Sequence, residues 1–202
     1  MPRVAGQIDV AKNEAILDAA VEVMSERGFN ASLDQIARRA RVSKQTIYNH
    51  YGSKAELIRA LTERRVREIT ASLGAPDAAA NPEKALTDYG RALLGALLSP
   101  RGVGLMRVAM AGAADAPDVA RAMYEHGTRA SRAKLARFLE AEHAAGRLDA
   151  PNPMRAAEMF GGMVIGSLQM AFMLGAMDSL APAEADLMAA EAARRFMRAY
   201  AV

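Results

Sequence analysis

With 202 residues, 51% of them apolar, and a mean hydropathy near zero, the chain is long enough for one large or two small domains and too apolar to be disordered. It has no cysteine, which excludes disulfides, thiolate zinc sites and cysteine redox sensing and fits a reducing cytoplasm. The net charge is +3, and residues 1–72 hold 12 Lys/Arg against 9 Asp/Glu while residues 73–202 hold 14 of each, so the whole basic excess lies in the N-terminal third, the pattern expected if only that part meets a polyanion such as nucleic acid.

The opening stretch MPRVAGQIDVAKNEA lacks the apolar core of a signal peptide. Residues 1–8 read as a loose arm whose Arg3 is placed for a phosphate or a minor groove. From about Asp9 to Arg27, Ile16, Leu17, Ala20, Val21 and Met24 fall on one helical stripe; Gly28 is the expected stop and Phe29 a core plug beside it. Ser32 and Gln35 then form an S-x-x-Q capping box, and Leu33, Ile36, Ala37 and Ala40 give a second helix an apolar face. Arg41 and Val42 make a turn, and Ser43 caps a third helix from Lys44 to His50. On it only Ile47 and the following Tyr51 look inward. Gly52 ends it, and Ser53 with Glu56 forms another capping box.

That third helix is short, polar around most of its circumference and rich in donors. No acidic residue lies between Asp34 and Glu56, whereas Arg38, Arg39, Arg41, Lys44 and Lys54 do. Cations offset phosphate charge, and amide, hydroxyl and imidazole groups reach base edges in a major groove. On charge alone, a DNA-reading helix and a merely solvated one are equally compatible with this pattern.

Ser32, Ile36-Ala37, Ala40, Val42-Ser43-Lys44, Tyr48, Tyr51, Ser53-Lys54 and Leu57 together resemble the DNA-binding signature of the TetR-type repressor family. The match is ungapped across the helix pair and departs in two places. Arg41 stands where the family usually has glycine, and the turn Gly28–Ser32 is one residue shorter than usual. The resemblance implies a helix-turn-helix in which Lys44, Gln45, Thr46 and Asn49 read bases. Ser32, Ser43, Tyr48, His50 and Lys54 would fix phosphates, with Arg38 and Arg41 as helpers.

A fourth helix, about Lys54 to Leu73, turns charged beyond Leu61 and reads as a connecting rod; GAPDAAA at 74–80 is a linker. Beyond it, Asn81-Pro82, Asp115-Ala116-Pro117, Asn152-Pro153 and Pro182 each open a helix, and a shorter one spans Val103 to Ala113. The helices opened at 81, 115, 152 and 182 run to Ser99, Gly146, about Met177 and nearly Val202. No segment alternates with a period of two. The expected fold is therefore all-α with about nine helices. With the resemblance, it is expected to comprise an N-terminal three-helix helix-turn-helix DNA-binding domain (1–53), joined by a connecting helix (54–73) to a helical domain (74–202) for which the family implies ligand binding and dimerisation. Leu105 to Gly175, with the phrase APDVARAMYEHG, resembles the C-terminal domain of the AefR-like TetR subgroup.

Met159 to Met177 is nineteen residues without a charge. Four glycines, a serine and a glutamine dilute it, and amphipathic helices flank it, so a membrane span is rejected. A helix apolar on all sides must be buried on all sides, which a second copy of the chain makes easy. The family resemblance implies a homodimer through the last two helices, with Gly162, Gly166, Met170 and Phe196 near the interface. It also implies a pocket for a small hydrophobic effector, for which Met106, Met110, Met123, Met163 and Met170 supply adaptable thioethers. Tyr89, Arg107, Tyr124 and Gln169 would add polar selectivity. For any single methionine, ordinary core filling is the stronger reading.

The three histidines, His50, His126 and His143, build no metal face, and no H-E-x-x-H, P-loop or G-x-S-x-G occurs. No cofactor, metal or catalysis is expected. The function expected is a cytoplasmic, dimeric DNA-binding regulator, a repressor released from a palindromic operator by its effector. Its rivals are a helical protein-interaction module that sets its basic helix pair on an acidic partner, and a membrane-associated protein.

Overall fold

The structure, a computed structural model, describes residues 10–28 and 31–202. The expectations for Arg3 and Phe29 fall outside that set. Among the described residues every regular element is helical: α1 (Val10–Arg27), α2 (Leu33–Arg39), α3 (Lys44–Tyr51), α4 (Lys54–Ile69), α5 (Pro82–Leu98), α6 (Pro100–Ala111), α7 (Pro117–Met123), α8 (Ala130–Ala144), α9 (Pro153–Ile165), α10 (Leu168–Leu174) and α11 (Pro182–Ala199). The nine expected helices are present, two of them interrupted. A π-helical turn, Tyr124–Arg129, joins α7 to α8. The long apolar helix breaks where Gly166 takes φ 50° and ψ −133°, backbone that only glycine adopts readily, and α9 and α10 meet at a bend of 55°. The rod ends at Ile69 and is followed by a 3₁₀ turn, Ala71–Gly74.

Packing divides the chain into two compact units. The described residues up to Arg64 join Gly104–His126 in one; Arg65–Val103 and Gly127–Val202 form the other. The division falls inside α4 and α6.

The first unit is built on the apolar stripe of α1. Ile16, Leu17, Ala20, Val21 and Met24 are buried with Ile36, Ile47, Leu57, Ile58, Leu61 and Leu105. α1 stops where Gly28 turns left-handed. Two polar anchors tie other helices to it. Arg64 of α4 donates to Glu14 (2.7 Å) and Asp18 (2.9 Å), and the Tyr51 hydroxyl of α3 donates to Asn13 Oδ1 at 2.5 Å. Burial, and then the Glu14 charge, push the Tyr51 phenol up to about 12 against the opposing pull of Arg64, so it stays a donor at any physiological pH.

In the second unit α11 lies along α5, and α8 packs on α9. Close approach is set at Gly90, where a Cβ would come within 3.3 Å of both Ala189 Cβ and Val164 Cγ2. Leu86, Leu94, Leu135, Leu139, Phe160 and Phe196 fill the centre, and Phe160 meets Phe196 edge to face at 5.2 Å. Asn152 caps α9 by accepting from Arg155 N (3.0 Å), whereas Asn81 makes no such side-chain bond at α5. Taken singly, no helix among the described residues is long and apolar enough to cross a membrane. Two bent pairs, α5 with α6 and α9 with α10, reach that length and composition only jointly.

Candidate nucleic-acid interface

The local chemistry of α2 and α3 follows from their caps. Ser32 N–H donates to Gln35 Oε1 (2.9 Å) and Gln35 N–H donates back to Ser32 Oγ (3.3 Å), the reciprocal box expected of S-x-x-Q. Ser43 Oγ accepts from Thr46 N (3.0 Å) and starts α3. The box at Ser53 is half made: Glu56 N–H donates to Ser53 Oγ (3.2 Å), but the Glu56 carboxylate pairs with Arg59 and Ser53 N–H donates to the Tyr51 carbonyl.

Between the two helices Arg41 has φ 56°, left-handed without being glycine. Val42 N–H donates to Ala37 O (3.0 Å) and Arg41 N–H to Arg38 O (3.3 Å), the paired closing bonds of a Schellman turn, which forces that conformation on the residue after the cap. The strain of a side chain there is about 1 kcal/mol. Arg41→Gly should therefore be about 1 kcal/mol more stable than Arg41→Ala, both having lost the same guanidinium. Urea midpoints of the two variants check this, and an alanine variant equal to or firmer than the glycine one refutes it.

α3 buries Ile47 and Tyr51 and turns the rest outward. Lys44, Gln45, Tyr48, Asn49 and His50 are exposed and Thr46 is half-buried. These side chains are already engaged with one another. Gln45 Nε2 donates to Asn49 Oδ1 (2.6 Å), and the Ser43 and Thr46 hydroxyls share a bond of 2.8 Å. Lys44 Nζ pairs with Asp34 Oδ2 at 2.9 Å and lies 5.8 Å from the Tyr48 ring centre. The hydrogen bond to Asp34, foremost, raises the Lys44 pKa. His50 sits edge to face on Tyr51.

Ser32, Asp34, Lys44, Tyr48, Ser53 and Lys54 line one open hollow of about 430 Å³. The start of α4 opens on it, and Lys54, half-buried there, has its pKa lowered by desolvation. Hydroxyls, two ammonium groups and a helix start suit an anion. Four of the eleven residues singled out for DNA thus share one cavity: Ser32, Lys44, Tyr48 and Lys54. Asp34 and Ser53 belong to it too: Ser53 was read only as a helix cap, and Asp34 only as the acid that bounds the basic stretch; for Asp34 the available signal was its position as the single acid between Glu26 and Glu56. The basic field is thinner than its count. Arg39 is committed to Glu22 (2.8 Å) and Glu26 (3.0 Å) of α1, while Arg38 reaches back to Asp34 O (3.3 Å) and Arg41 is exposed.

The residues singled out for an effector fall in both units. Met106, Arg107, Met110, Met123 and Tyr124 lie in the first, with Met110 and Tyr124 exposed and Met123 against its core. Tyr89, Met163, Gln169 and Met170 lie in the second. Tyr89 is buried with its hydroxyl on Ser131 Oγ (3.1 Å), while Met163 and Met170 are exposed. Of the four placed near an interface, Gly162 and Met170 are exposed, and Gly166 is the exposed break after α9. Phe196 is wholly buried in its own unit, between Phe160 and Tyr200, and has no surface to offer a partner. Among the described residues no group of three or more His, Asp or Glu is placed to hold a metal.

Two family models match the chain. One, described as bacterial regulatory proteins of the tetR family, matches residues 16–61; the other, the AefR-like transcriptional repressor C-terminal domain, matches residues 84–202. An HTH-type transcriptional repressor of Mycobacterium tuberculosis (strain ATCC 25618 / H37Rv) is 33% identical over 112 residues, covering 55% of this chain and 60% of that protein. The chain thus spans only about three fifths of the length of that curated relative. Among solved structures, a flavonoid-responsive regulator is 30% identical with a TM-score of 0.69, over 94% of this chain and 97% of the other. A TetR-family regulator from Mesorhizobium loti MAFF303099 is 22% identical, with a TM-score of 0.76 over 99% of this chain and 100% of the other, and shares the fold.

Proposed function

The chain belongs to the TetR family of bacterial regulatory proteins, with an AefR-like repressor C-terminal domain, and from that premise we propose that it is a cytoplasmic homodimeric repressor that leaves a palindromic operator when a small hydrophobic molecule binds. The observation that carries this reading is α3: it buries only Ile47 and Tyr51 and offers every other side chain outward from a basic, acid-poor stretch. Lys44, Gln45, Thr46 and Asn49 read bases in the major groove. Ser32, Ser43, Tyr48, His50 and Lys54 hold phosphates, with Arg38 and Arg41 beside them. Residues 1–53 form the DNA-binding part, 54–73 the connection, and 74–202 the effector and dimer part.

Two copies related by a two-fold axis would place their α3 helices about 34 Å apart, one turn of duplex. The exposed Met163, Met170, Leu174 and Leu187 of the last helices supply apolar surface for that pairing. Gln169, half-buried in the second unit, is a residue for the effector to draw on. An effector acts only through its differential affinity for the DNA-competent and released states.

The experiment is selection of duplexes from a random-sequence library by the purified chain. Enrichment of a palindrome, lost on adding a member of a flavonoid panel, is the expected result; the panel is chosen because one structural relative is flavonoid-responsive. A chain that enriches no duplex refutes the reading. Within it, Asn49→Ala should lose about 1–3 kcal/mol on the selected duplex and blur preference at one base position. Equal losses on selected and scrambled duplexes would remove Asn49 from base reading.

A further inference from the structure

We propose that Asp34 is a positioning residue for sequence reading: its carboxylate holds the Lys44 ammonium away from loose phosphates, and discrimination between duplexes depends on that hold. The inference rests on the DNA-reading role proposed for α3.

A carboxylate is out of place in this hollow. Its other polar lining, Ser32, Tyr48, Ser53, Lys44 and Lys54, suits an anion, and Asp34 repels one. It is the only acidic residue between Glu26 and Glu56, so no second carboxylate in that stretch shares its role. Nor does its pair with Lys44 do much for folding. The two side chains are 52% and 50% exposed, and surface pairs of that kind contribute about 0–1 kcal/mol. What the pair changes is where a charge sits. Lys44 Nζ is bracketed by Asp34 Oδ2 at 2.9 Å and the Tyr48 ring at 5.8 Å.

Lys44 is also the only lysine or arginine on α3. A lysine is a compact charge on a flexible four-carbon stem, and unrestrained it meets any phosphate within reach. Phosphate contacts raise affinity for all sequences alike, whereas base edges separate them. A hold of that size biases Lys44 without locking it: neutral acceptors in a fixed place can share the ammonium with Asp34. The paired acceptors of a guanine edge do so; a phosphate approaching the same spot is repelled by Asp34. Gln45 with Asn49, and Ser43 with Thr46, are ordered by neutral hydrogen bonds, so among the described residues Asp34–Lys44 is the one charged restraint on the reading side chains.

The test uses the full chain, the duplex it enriches and a scrambled duplex of equal length, titrated across roughly 50–200 mM salt. Asp34→Asn should bind the scrambled duplex several-fold more tightly, with a salt slope steeper by about 0.9, the increment of one phosphate contact. Affinity for the enriched duplex should change less, so the ratio of the two falls by about 3–10-fold. Asp34→Glu should recover most of the ratio. In a Lys44→Met background, Asp34→Asn should leave the ratio where Lys44→Met puts it. An unchanged or increased ratio in Asp34→Asn, or a further fall in the Lys44→Met background, overturns the inference while base reading stands. A wild-type chain that enriches no duplex overturns both.

Discussion

Phe196→Ala should destabilise the second unit by about 3–5 kcal/mol, the cost of a large aromatic removed from a closed core. The ring is fully buried, stacked on Tyr200 at 4.4 Å and met edge to face by Phe160 at 5.2 Å, which in turn lies 6.1 Å from Tyr89. Its neighbours belong to α5, α9 and the end of α11, which cannot all collapse into the gap. Each aromatic contact adds about 0.5–1.5 kcal/mol to the area term. Phe196→Leu, which keeps most of the volume, should recover more than half of the loss. Denaturant unfolding at two protein concentrations reads the effect. A loss that vanishes at high concentration would mean that Phe196 meets a second subunit; the packing predicts a loss at both.

That residue marks a boundary of what sequence reasoning reaches. The period of α11 places Phe196 on its apolar face, and the period is right. Yet a helix apolar on more than one side has two directions in which to bury a ring. Intrachain core and partner surface look alike until α5 and α9 are in place. The same ambiguity surrounds Met159–Met177. Its uncharged length reads as one helix, but Gly166 sits where the chain turns through a backbone region open to glycine alone. Nothing local separates it from Gly161 and Gly162, which stay helical.

The N-terminal elements were far easier to read because their signals are local. Ser32 with Gln35, Ser43 with Thr46, and Gly52 are caps whose partners lie within four residues, and each bond is present. Ile47 and Tyr51 are one helical turn apart, so the inward face of α3 was visible from spacing alone. What escaped were pairings across elements. Arg39 counts toward the basic stretch until α1 brings Glu22 and Glu26 to it, and Asp34 only marks where that stretch begins until α3 brings Lys44. Charge sums along a chain are insensitive to such pairs, which form between residues ten or more positions apart.

Gly102→Ala carries the other large effect, and its size follows from what surrounds one missing methyl group. Gly102 lies in the first turn of α6, its N–H held by Ser99 Oγ at 3.1 Å. A Cβ there would overlap the Ala96 carbonyl oxygen outright. It would also approach Leu97 O to 2.9 Å and Arg65 Nη2 to 2.6 Å. Two of the three obstacles are backbone at the end of α5 and cannot swing aside. The third is a guanidinium that burial has already pushed down in pKa, set near carbonyls at the negative end of a helix, where a cation is favoured. Overpacking costs about 1–3 kcal/mol where side chains can adjust, and the fixed carbonyls put this variant at or above the top of that range. Gly95→Ala is the matched control: the same change within α5, with nothing within 4 Å of the new Cβ. It should stabilise by up to about 1 kcal/mol through helix propensity and a less free unfolded chain. Denaturant midpoints should therefore move in opposite directions. If Gly102→Ala leaves the midpoint within the spread of surface substitutions, the first turn of α6 can retreat from α5, and the end of α5 does not fix where Arg65 is held.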